Sequence, residues 1–160
     1  MVFSTSTADE EAAILLGLAI IIASSDRAKE LRSHASLKSI SSKPVALWEF
    51  FLTSAALATG MAMYELPSGQ TKAVSLTSAL LRATLHWPNS TWVAIPDFQK
   101  FMSRIAEESV HPYTAVGWWV ACNVKGAALS DEELAAVPPI GAVVFDGLLS
   151  WKATCEEAKA

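Results

Sequence analysis

The sequence predicts an all-α fold, a compact single-domain multi-helix bundle, on three grounds. Apolar runs are separated by prolines at helix-length intervals, capping-box spacings precede two of them, and one segment has clean helical periodicity. The pattern leaves room for one short strand or hairpin near the C-terminus. The 160 residues fit one domain, read as a short arm over 1–7, a core over 8–151 and a short tail over 152–160.

Thr7 and Glu10 have the spacing of a capping box, and a first helix is expected from Ala8 to Ala23. Its stretch from Ala12 to Ala23 is apolar on all sides, which predicts burial all round. That length falls short of the roughly 20 residues that a helical membrane span needs. Asp26 to Ser42, rich in serine and basic residues, reads as a polar connector with a short helix through Ala28 to Leu31. Pro44 suits a first helical position, and a second helix follows over Val45 to Leu66, stopped by Pro67. Glu49, Thr53, Ser54 and Thr59 within it favour a bundle over a membrane span.

Val74, Leu76, Leu80, Leu81 and Leu85 outline a third helix, ended by Pro88-Asn89. Pro96-Asp97 opens a fourth, in which Phe98, Phe101, Met102 and Ile105 repeat at i, i+3, i+4, i+7. Its other face carries Lys100, Arg104, Glu107 and Glu108, and the two cations suit either a grip on phosphates or pairing with the nearby Glu107 and Glu108 on a solvated face. Pro112 starts a fifth helix that closes near Gly126. Ser130 and Glu133 repeat the capping-box spacing ahead of a short helix cut off by Pro138-Pro139. Ile140 to Leu149 is the most strand-like stretch, and helix is the favoured reading there.

Apolar residues reach 52%, charged residues only 18%, and the mean hydropathy is +0.33, so something is expected to cover part of the surface: a partner, a membrane or further copies. A net charge of −4 argues against a strongly basic nucleic-acid binder. Charge is nonetheless polarised, with Arg27, Lys29, Arg32, Lys38 and Lys43 early and Asp131, Glu132, Glu133, Glu156 and Glu157 late. The early basic stretch suits a solvated linker, contact with an acidic polymer, or a cytoplasmic loop between two spans. Cys122 and Cys155 do not make a zinc framework, and acids in place of basic residues ahead of the first apolar run argue against a secretory signal. The Asn89-Ser90-Thr91 sequon is therefore expected to be unused.

His34, His86 and His111 lie far apart, no nucleophile elbow is present, and Gly117, Gly126, Gly141 and Gly147 lack phosphate-loop spacing. No enzyme, metal or cofactor is expected. The tryptophans Trp48, Trp87, Trp92, Trp118, Trp119 and Trp151 suit core and subunit packing first, and base stacking second.

Tyr113-Thr-Ala-Val-Gly-Trp-Trp119, then Val137-Pro-Pro139, then Ala142-Val-Val-Phe145-Asp146-Gly-Leu148 follow an order that resembles the C-terminal core of coat proteins from flexible filamentous plant viruses, the potexvirus and carlavirus type. Pro44-Val-Ala-Leu-Trp48 and Ala73-Val-Ser-Leu76 resemble the helices that precede it, so the likeness covers roughly 43–151. The chain departs from the pattern at Ile140-Gly141, where family members carry a basic-aromatic pair, and at Leu149-Ser150, where they carry an acid. The family's long N-terminal arm is reduced to a few residues.

The resemblance implies a structural, helically assembling coat or nucleocapsid-like protein that packages single-stranded RNA through its backbone, located in a virion or the host cytoplasm. It also implies a buried arginine paired with the signature aspartate, Asp146, with Arg104 as the expected partner. Such a pair fixes the guanidinium fork for a phosphate. With Lys100 and Lys125, these residues make up the candidate RNA-binding set. Two alternatives stand beside it: a small membrane-associated hairpin built on the first two helices, and a soluble all-helical interaction module.

Overall fold

A computed structural model describes residues 8–34, 37, 40, 42–60, 62 and 90–159, and the expected third helix and Thr7 lie outside them. The described residues form helices α1 (Ala8–Ser24), α2 (Asp26–Arg32), α3 (Val45–Gly60), α4 (Ser90–Ala106), α5 (Pro112–Lys125), α6 (Asp131–Ala135) and α7 (Pro138–Lys159). The fold is all-α, and none of the described residues forms a strand. The strand-like stretch at 140–149 is the body of α7. Its two prolines at the helix start need no backbone N–H there, and α7 runs on through the expected tail to Lys159.

The core pair is α5 and α7. They approach almost backbone to backbone, because a Cβ at Gly117 would collide with the Val137 carbonyl and one at Gly141 with the Tyr113 carbonyl. Each glycine therefore faces the residue one helical turn before the other, which is the geometry of an antiparallel crossing. The Tyr113 and Phe145 rings stack at 5.1 Å on the same seam. α1 and α2 pack on α7, and α4 packs on α5. The end of α3 closes over α1 and α7, where a Cβ on Gly60 would meet the side chains of Leu15 and Leu148. Phe51 of α3 meets Trp119 of α5 edge to face at 5.5 Å.

Three sequence expectations need correction. α1 is not buried all round: Leu15, Ala19 and Ile22 face the core, whereas Ile20 and Ile21 stand 48% and 64% exposed. A single helix touches its neighbours on one side, whatever its composition.

The segment after α1 is more than a polar connector. Ser25 caps α2 by accepting from the Ala28 N–H, and Leu37 and Ile40 are fully buried. The Trp48 indole donates to the Ile40 carbonyl, so this segment is pinned to α3.

Pro96 does not open α4 but sits inside it, since the helix already begins at Ser90. Proline at a first turn is a preference, and here the ring is exposed. Proline there leaves the carbonyl of Trp92 without its helical donor.

Of the polar residues of α3, Glu49 is exposed. Ser54 is buried, and its hydroxyl donates to the Phe50 carbonyl at 2.8 Å.

Other expectations hold. Phe98 and Ile105 are buried, with Phe101 and Met102 packed beside them. Gly126 closes α5 in the left-handed region at φ 77°, and the Ser130–Glu133 capping box is complete in both directions.

Candidate functional site

Helical spacing brings Asp97, Lys100, Phe101 and Arg104 onto one stripe of α4, the i, i+3, i+4, i+7 set. Opposite them α5 presents Trp118, Trp119, Cys122 and Asn123, and Ala128 of the following turn closes one end. These residues line an open groove of about 680 Å³.

Its walls are aromatic and its rim is charged. Phe101 and Trp118 meet edge to face at 5.5 Å, and the Arg104 guanidinium lies 5.6 Å from the Phe101 ring centroid, within reach of a cation–π contact. Trp119 is only 2% exposed, and its indole N–H donates to Asp97 Oδ2 at 2.9 Å. Asn123 donates its amide to the Trp119 carbonyl at 2.8 Å.

Among the described residues no carboxylate pairs with Lys100 or Arg104. The nearby acids that would pair with them, Glu107 and Glu108, fall beyond the end of α4. They sit in a turn where Ser109 adopts φ 57° and carries the chain away.

Asp146 does not meet Arg104. Its partner is Arg27, at 3.0 Å from Nη1 to Oδ2, and the side chains are 57% and 48% exposed rather than buried. The reason is register: Asp146 continues the α7 stripe of Pro139 and Val143, which faces α2, while Arg104 belongs to α4 on the α5 side. Pro139 and Val143 join Arg27, Glu30, Leu31 and His34 in a smaller cleft of about 280 Å³.

Lys125 is engaged elsewhere. Its ammonium donates to Glu133 Oε1 at 2.6 Å and to the Ala128 carbonyl at 3.1 Å, bracing the turn between α5 and α6.

The structure therefore brings together two of the four candidates, Lys100 and Arg104, and adds Asp97, Phe101, Trp118 and Asn123. Asp97 was legible as the next member of the Lys100–Arg104 stripe. No signal in the sequence linked Arg27 to Asp146, which are 119 positions apart. No group of three His, Cys, Asp or Glu side chains among the described residues is placed to hold a metal ion.

One stretch of the described residues, Asp131–Ser150, has the length and apolarity of a membrane span. It is broken between α6 and α7 ahead of Pro138-Pro139, so it does not form one helix of that length. No family model, curated protein or solved structure matches the chain.

Proposed function

We propose that the chain is a self-associating helical protein of the coat or nucleocapsid type, which works by binding and packing and holds single-stranded RNA in the groove between α4 and α5. The observation that carries this is the pair of cations, Lys100 and Arg104, standing one turn apart above an aromatic wall with no carboxylate partner among the described residues. That combination suits a single strand: cations address the phosphates and aromatic faces take unstacked bases, with little demand on sequence. A net charge of −4 is compatible with it, because many subunits on one strand need only one or two contacts each.

Self-association has its own support. Ile20 and Ile21 on α1, Val45 and Leu47 on α3, Val93 on α4 and Leu149 on α7 are large apolar side chains left exposed.

The test is fluorescence anisotropy of labelled oligo-uridine over a salt series, with negative-stain electron microscopy of the same sample. Two phosphate contacts to a single strand give log Kd against log salt a slope of magnitude about 1.4. K100A and R104A each lower that slope by about half, and the double variant abolishes binding while helix content is retained. Binding unchanged in the double variant, or no binding by the wild type, overturns the RNA assignment.

Exposed Ile20 and Ile21 also favour a second reading, attachment of α1 to a membrane surface. Sedimentation with lipid vesicles, unaffected by K100A and R104A, is its signature.

A further inference from the structure

We propose, building on RNA binding in the α4–α5 groove, that the groove prefers guanine over the other bases and that Asp97 is the residue that selects it. Beside Lys100, this end of the groove carries two acceptor side chains, Asp97 and Asn123. Asp97 has Oδ2 occupied by the Trp119 indole N–H, and no described residue donates to its Oδ1. Asn123, also on the groove, has spent an amide hydrogen on the Trp119 carbonyl, and its side-chain oxygen is an acceptor. A carboxylate oxygen keeps further lone-pair capacity after one hydrogen bond, so the pair offers several acceptor sites and few donors.

The base edges respond differently to such a surface. Guanine presents two adjacent donors, N1–H and the 2-amino group, which match a carboxylate. Adenine and cytosine each place a ring-nitrogen acceptor beside their amino group, and uracil flanks its single N–H with two carbonyls. Those acceptors meet the Asp97 carboxylate unfavourably.

Position supports the same assignment. Asp97 lies one turn from Lys100 and two from Arg104, about 10 Å along the helix axis from the latter. Arg104 and Asp97 thus mark the two ends of the stripe, with Lys100 and Phe101 between them and Trp118 against Phe101. A nucleotide spans that arrangement with its phosphate at Arg104, its ring against the aromatic wall and its base edge at Asp97. The Trp119 hydrogen bond fixes the carboxylate before the base arrives, so little ordering remains to be done on binding.

The experiment compares oligo-uridine 12-mers in which one central uridine is replaced by guanosine, inosine, adenosine or cytidine, using anisotropy on the intact protein. The guanosine oligomer binds about tenfold tighter than oligo-uridine, the discrimination expected of one well-formed bidentate base contact. Inosine, which lacks the 2-amino group, loses part of that gain. D97N retains an acceptor for Trp119 but presents an amide donor to the base, so it removes the guanosine preference, while oligo-uridine, relieved of the carboxylate, binds the variant at least as tightly as the wild type. Failure to bind any oligomer strikes at RNA binding itself. Equal affinity for all five oligomers, or a guanosine preference that survives D97N, overturns the guanine assignment alone.

Discussion

Arg27 and Asp146 join α2 to α7 by a 3.0 Å ion pair on the surface of the molecule. Both groups keep about half of their exposure, so each is well hydrated without the other. D146N is expected to cost less than about 1 kcal/mol in a urea titration, and less again in high salt. If the α4–α5 groove holds RNA as proposed, oligo-uridine affinity stays at the wild-type level, because that groove does not include Asp146. A large loss of RNA affinity in D146N would move the binding site to the α2–α7 cleft.

G141A and G117A behave differently. Each new methyl group meets a backbone carbonyl, which has no rotamer through which to escape. Overpacking of this kind costs about 1–3 kcal/mol and more where backbone must shift, so both variants are expected to lower the urea midpoint clearly. G17A is the control, since nothing lies within 4 Å of a Cβ at that position.

The α5–α6 turn is held by one buried carboxylate. Glu133 accepts from the Ser130 backbone N–H at 2.8 Å and from Lys125 at 2.6 Å. E133A is expected to cost about 2–3 kcal/mol, because it strips a partly buried ammonium and a helix cap together. S130A, which removes only the cap, is expected to cost about 1 kcal/mol. Chemical denaturation of the two variants and the double variant checks both values, and sub-additive costs are expected because the residues share the turn.

I20S and I21S test the apolar face of α1. Both side chains are substantially exposed, so monomer stability should change by about 0.5 kcal/mol or less. Sedimentation velocity is expected to shift toward smaller species. An unchanged distribution would place self-association on the faces that carry Val45, Leu47 or Leu149 instead.

Local chemistry made much of this fold readable. Gly126, the Ser130–Glu133 box and the α4 periodicity act within a turn or two of the chain, and each sits where its spacing placed it. What escaped was which face meets which. The uniform apolarity of α1 could not say that Ile21 would be left outside and Leu15 inside, since that depends on where α7 and α3 lie. Pro96 misplaced a helix start because its penalty depends on whether the abandoned carbonyl reaches water. The candidate site divided in the same way: Lys100 and Arg104 came together through helix spacing, whereas pairing Asp146 with an arginine required knowing which element lies across from α7.

The two glycines of the α5–α7 crossing have a bearing on ancestry. Most positions of a helical bundle accept any apolar residue of suitable volume, so their identities drift and likeness between distant relatives fades. Gly117 and Gly141 have no such latitude, because the space a side chain would need is filled by main chain, which every homologue also has. Chains that share this crossing should therefore keep hydrogen at both positions after the residues around them have been replaced, with Tyr113 and Val137 each one turn earlier free to vary in all but their carbonyls. A lineage invisible in overall identity would still carry that pair of glycines as its mark.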